Sequence, residues 1–224
     1  MSANPMIVTI TAPSAAGKSM VQSQLFSYGR YVPVVSDCTR APRGGSDSFT
    51  RNYITKEEFL DRKAKGLYAQ AVELFNTGYA IPKASLLQLC KDGLVPLCDV
   101  GIEGTFHLRK FTAVHNIEIR SIFMFSDPED LYERHVQKRK TPFDEMLLRL
   151  KGAIAEMEEA SQNVALFDLV LKNNTEEETI NRILRFLETG ERICDTLDPV
   201  SFRRDMEYII EEAESNGKIG EHSR

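Results

Sequence analysis

Ile7-Val8-Thr9-Ile10-Thr11-Ala12-Pro13-Ser14-Ala15-Ala16-Gly17-Lys18-Ser19 decides how this chain is read. An apolar run leads into a loop of small residues, then Gly17-Lys18-Ser19, then Met20, Val21, Leu25 and Phe26 at helical spacing. That is a strand, a loop and a helix start. In G-x-x-x-x-G-K-[ST] the loop amides and helix N-terminus wrap phosphates, the lysine reaches the outer phosphates and the hydroxyl reaches Mg²⁺. Ala12, Pro13, Ser14, Ala15, Ala16, Gly17, Lys18 and Ser19 are therefore the candidate phosphate-binding residues. Ala12 stands where the pattern has its first glycine, and alanine is strained at positive φ where glycine is not.

With 224 residues, 42% of them hydrophobic, the chain suffices for one α/β domain with appendages. A net charge of −5 argues against a protein that lives on nucleic-acid backbones, so an anionic ligand has to be met by a local cluster of cations. Cys38, Cys90, Cys98 and Cys194 have no metal-like spacing and read as thiols of a reducing compartment. No apolar run approaches membrane-spanning length and Met1 to Pro5 lacks the features of a secretion signal, so the expectation is a cytoplasmic protein. His107, His115, His135 and His222 suggest no metal site or catalytic dyad; surface or lid solvation accounts for each.

β-rich runs at Ile7–Thr11, Tyr31–Ser36, Leu94–Val100, Ile117–Phe125 and Phe167–Lys172 alternate with helix-like stretches. This predicts a three-layer α/β/α fold on a parallel sheet of about five strands. The core is assigned to residues 1–36, 87–130 and 158–190. Residues 37–86 form a polar, turn-rich insertion, and 131–157 a helical lid carrying Arg134, Lys138, Arg139, Lys140 and Arg149. Glu176-Glu177-Glu178 reads as the first turn of the final core helix, and Glu188-Thr189-Gly190 as its stop. Residues 191–224 form a C-terminal helical extension. From Asp198-Pro199 onward, Phe202, Met206, Ile209, Ile210 and Ala213 share one face, which packs onto the core or onto a second subunit of a homodimer. Ser215 to Arg224 is polar and expected to be disordered.

The second strong stretch is Ser36-Asp37-Cys38-Thr39-Arg40-Ala41-Pro42-Arg43. Two arginines three apart around a proline can aim two planar forks at one phosphate. The order of the phosphate loop, Ser36-x-x-Thr39-Arg40-x-Pro42-Arg43, Asn52-Tyr53, Gly78-Tyr79, a strand ending in Asp99, an arginine-rich lid and Asn173 resembles the guanylate kinase family over about Pro5 to Leu187.

The resemblance implies a P-loop kinase fold and transfer of the ATP γ-phosphoryl to GMP, dGMP or a related nucleotide. Lys18 and Ser19 would hold ATP phosphates and Mg²⁺, with Asp99 orienting magnesium-bound water and Asn173 near the adenine. Arg139 and Arg149, with Lys18, would be the catalytic cations. Ser36, Arg40, Arg43, Tyr53 and Tyr79 would grip the acceptor's phosphate. Partners would be nucleotide substrates, with neither nucleic acid nor membrane. Gln70, Ile81 and Gly101 stand where the family reads guanine with a glutamate, a serine and an aspartate, and Glu73 or Glu103 supplies a displaced carboxylate if the register slips. An altered base pocket leaves open a relative with another acceptor, such as another monophosphate or a ribose bisphosphate. A non-catalytic interaction module is the other alternative, against which stand the retained Lys18, Ser19 and four arginines.

Overall fold

The computed structural model describes residues 4–42, 50–74 and 76–221, the side chains of 216–221 aside. Arg43, the Gly44-Gly45-Ser46-Asp47 stretch of the insertion and His222 lie outside the described residues. A five-stranded sheet has the order β2-β7-β1-β8-β9: β1 Met6–Thr11, β2 Tyr31–Pro33, β7 Val95–Asp99, β8 Glu118–Phe125 and β9 Leu169–Lys172. The pairs β1/β7, β2/β7 and β8/β9 run parallel. Every residue of β1 is buried, as its unbroken apolar run requires of a strand covered on both faces.

The chain forms two compact units, Met1–Thr11 with Gln22–Ser121, and Ala12–Val21 with Ile122–Arg224. In the first, Ile7, Val34, Leu86, Cys98, Leu108 and Phe111 share one core, over which helices α3 (Lys83–Lys91) and α4 (Ile102–His115) lie. The run predicted as a single strand over Tyr31–Ser36 is in fact two. β2 stops at Pro33, which has no N–H to continue the ladder, and β3 (Ser36–Cys38) joins a second sheet. That sheet has the order β4-β3-β6-β5, with β4 Arg51–Tyr53, β5 Tyr68–Leu74 and β6 Thr77–Pro82. After the first helix, α1 (Lys18–Ser27), comes helix α2, Lys56–Ala64, which backs this sheet, with Thr55 accepting from the Glu58 N–H as its N-cap.

In the second unit, α5 (Pro128–Glu133) runs into a π turn, Arg134–Lys138, before the long α6, Phe143–Gln162. Helix α7, Glu176–Thr189, starts at the acidic triplet under a Thr175 cap and ends on Gly190 at φ 75°. Beyond it the extension passes along β9, where the Asp195 N–H donates to the Val170 carbonyl at 2.9 Å and the Asp195 carboxylate accepts from the Lys172 N–H at 2.6 Å. Helix α8, Pro199–Glu221, then packs Phe202, Met206, Ile210 and Ala213 inward against α6 and α5. It continues as helix past Ser215 to Glu221, where composition predicts disorder.

Candidate functional site

In the second unit the loop Ala12–Ser19 is anchored from behind. Asn173, 5% exposed, donates from Nδ2 to the Ala16 carbonyl at 2.8 Å and accepts from Thr179 at 2.8 Å. Arg134 donates to the Ala15 carbonyl at 3.1 Å and to Ser126 at 2.8 Å. With the Ala16 carbonyl held on Asn173, the N–H of the same trans peptide, that of Gly17, points the opposite way. Gly17 is obligatory twice over. Its φ is 101°, and a Cβ there would meet Asn173 Nδ2 at 2.2 Å. Strain at Ala12 does not arise, because the loop's positive φ values fall at Gly17 and at Ala15 (69°).

Two arginines converge on this loop. Arg139 and Arg149 each place Nη1 3.2 Å from Ser14 Oγ, one from the residue just after the π turn and one from α6. Burial and the neighbouring Arg149 lower the Arg139 pKa, and Glu145 balances Arg149 through bonds of 2.9 and 2.6 Å. His135 departs from the solvated role expected of it. It is 1% exposed, its Nδ1 lies 3.0 Å from Thr141 Oγ1, and its Nε2 is buried with no hydrogen-bond partner among the described residues. Burial, then Arg139 and Arg149, push its pKa down against a smaller opposing effect of Glu145. The chain turns at Lys140 (φ 48°), closed by the Thr141 N–H on the His135 carbonyl at 3.0 Å.

In the first unit, strand register sorts residues onto two faces of the four-stranded sheet. Ser36 pairs with Arg51 and Cys38 with Tyr53 on one side; Cys38 pairs with Tyr79 on the other; Tyr79 pairs with Val72, and Ile81 with Gln70. Directly paired residues share a face, so Ser36, Arg51, Tyr53, Gln70, Tyr79 and Ile81 line one surface. Asp37, Asn52, Ala71, Glu73, Gly78 and Ala80 take the other, beneath α2. Glu73 therefore does not stand in for Gln70: it faces α2 and pairs with Lys63 at 3.2 Å. Gln70 is buried, and its Nε2 would lie 3.3 Å from a Cβ on Gly104 of α4. Gly101 is the extended N-cap residue of α4, with open space around it.

The back face is held by a buried carboxylate. Asp37, 1% exposed, accepts from Tyr68 and Arg62 at 2.7 Å and from Asn52 at 2.8 Å. A bulge between Tyr68 and Gln70 is what turns Tyr68 to that side, against Phe59. Burial and the bond to Asp37 hold the Tyr68 phenol protonated well above its ordinary range. The Phe59 ring lies 2.9 Å from where a Cβ on Gly78 would sit, which is why glycine precedes Tyr79. Thr39 accepts from the Gly78 N–H at 2.8 Å and donates its own N–H to the Gly78 carbonyl at 3.1 Å, so the Thr39-Arg40 pair is tied to Gly78-Tyr79. On the front face the Arg40 guanidinium lies 5.9 Å from the Tyr53 ring and that of Arg51 5.6 Å from the Tyr79 ring. Arg51, absent from the sequence-derived site, donates to Ser36 Oγ. Strand alternation from Tyr53 was the signal that could have found it. Asp99 closes β7, opposite Ile10 of β1.

A family model described as guanylate kinase matches residues 3–190. The guanylate kinase of Prochlorococcus marinus subsp. pastoris is 27% identical over 186 residues, covering 82% of this chain and 97% of that relative. The guanylate kinase of Sus scrofa is 28% identical over 183 residues, covering 77% and 86%. The crystal structure of guanylate kinase from Anaplasma phagocytophilum superposes with a TM-score of 0.60 at 24% identity, over 84% of this chain and 87% of that one, a likeness of fold.

Proposed function

This chain belongs to the guanylate kinase family, and on that premise we propose that it transfers the γ-phosphoryl group of ATP to GMP, with Lys18, Arg139 and Arg149 as the catalytic cations. The observation that carries the reading is the convergence of both lid guanidiniums on Ser14 of the phosphate loop, 3.2 Å each. Phosphoryl transfer asks little covalent chemistry of a protein; alignment and cations that absorb charge on the moving group supply most of the rate.

Residues Ala12 to Ser19 bind the ATP phosphates through backbone amides and Lys18, and Asn173 holds the loop in shape. The hard oxygens of Ser19 and Asp99 suit Mg²⁺, which supplies charge neutralisation at the phosphates when bound. Ser36, Arg40, Arg43, Tyr53 and Tyr79 hold the acceptor phosphate, with Gln70, Ile81 and Gly101 toward its base. The core, the insertion 37–86 and the lid 131–157 divide this labour, in a cytoplasmic setting. The test is a coupled ADP-release assay over all ribo- and deoxynucleoside monophosphates and ribose bisphosphate. GMP turnover that Lys18→Ala abolishes without lowering the melting temperature is the expected result. Silence of a folded, ATP-binding wild type across the panel would overturn it.

A further inference from the structure

We propose that Arg51 is a further acceptor-binding residue, a guanidinium that grips the phosphate monoester of the incoming nucleotide; this rests on the acceptor assignment above. In the sequence Arg51 directly precedes the Asn52-Tyr53 pair. Its place follows from register: β4 pairs with β3 so that Arg51 stands beside Ser36, and alternation sets it on the same face as Tyr53.

Three observations give it a ligand-binding character. Its Nη1 donates to Ser36 Oγ, and its charge lies 5.6 Å from the Tyr79 ring centroid, so it touches two of the assigned phosphate ligands. Its Nε is buried and has no hydrogen-bond partner among the described residues. And it lines a pocket of about 70 Å³ with Ser36, Thr50, Ile81, Leu97 and Asp99. A buried N–H left unpaired is unfavourable, and a guanidinium fork satisfies it best with two oxygens of one oxyanion. Ser36 Oγ also lies 3.4 Å from the Thr50 carbonyl, so the hydroxyl keeps a partner when Arg51 turns to the phosphate. The Tyr79 ring and Ser36 hold the fork in place beforehand, which lowers the cost of ordering it on binding. A second cation in addition to Arg40 favours the dianion of a phosphate monoester, whose second pKa is about 6, over the monoanion.

The test is calorimetric titration of GMP and, separately, of ATP into the full chain carrying Arg51→Met or Arg51→Lys, with melting curves and guanosine as the phosphate-free control. Arg51→Met is expected to weaken GMP about tenfold or more while leaving ATP and guanosine affinities within about twofold. Lysine, a point charge without the fork, recovers part of the loss. The tightening of GMP binding between pH 5 and 7 is expected to be steeper in the wild type than in Arg51→Met. GMP affinity unchanged in Arg51→Met overturns the inference, as does a joint fall in GMP, ATP and guanosine binding with melting temperature, which marks a structural role. Should Arg51→Met fail to fold, wild-type GMP affinity in Arg51→Lys overturns it equally. A wild type that binds no monophosphate sinks the functional reading together with this inference, whereas a wild type that binds GMP beside an equally competent variant sinks this inference alone.

Discussion

At the scale of single residues, close approach matters more than pattern. Gly17 is indispensable because Asn173 occupies the space of its missing side chain and because φ is 101°. Gly17→Ala is expected to displace Asn173 from the Ala16 carbonyl, lower stability by about 1–3 kcal/mol and abolish ATP binding, checked by denaturant melts and titration. Ala12→Gly, which restores the familiar pattern, is expected to leave ATP affinity within about twofold, since the left-handed conformations fall elsewhere in the loop. A large gain in affinity would contradict that. Asp37 is the other decisive residue. Asp37→Ala leaves Arg62 with Glu58 alone and removes the acceptor for Tyr68 and Asn52, for an expected loss of about 2–4 kcal/mol, read from urea melts.

Among the elements, the π turn Arg134–Lys138 and the bend to α6 set where Arg139 and Arg149 fall. His135 ties the ends of that bend through Thr141 and is held neutral by burial and the two arginines. The unfolded chain protonates this histidine near pH 6.5. Its folded pKa lies lower, so the unfolded state binds more protons in between, and stability falls as pH drops through that window. His135→Gln should therefore flatten the fall in melting temperature between pH 7 and pH 5. An unchanged slope would show that other groups carry it. The bulge in β5 acts at the same scale: by turning Tyr68 toward Asp37 it leaves Gln70 on the opposite face.

For the whole chain, the extension beyond the family match is integral to its unit rather than a loose appendage. It covers the open edge of β9 through Asp195, and Arg182 clamps that carboxylate at 2.9 and 3.0 Å. Met206, fully buried beneath α8, is expected to cost about 2–4 kcal/mol on truncation to alanine, measured by thermal unfolding of the full chain. Much of this was legible beforehand. The loop at Ala12–Ser19, the alternation of strands and helices, the acidic start of α7 and the inward face of α8 all follow from near-neighbour sterics and periodicity, which a linear sequence carries. Other outcomes depended on pairing between segments far apart in the chain. The break of Tyr31–Ser36 into strands of two different sheets, the turning of Glu73 away from Gln70's face, the burial of His135 and the placing of Arg51 beside Ser36 were decided only by the tertiary structure. In a pleated sheet one residue of slip, or a single bulge, exchanges the two faces. The amino-acid order thus determined which candidate residues the chain carries, and strand register decided which of them share one face.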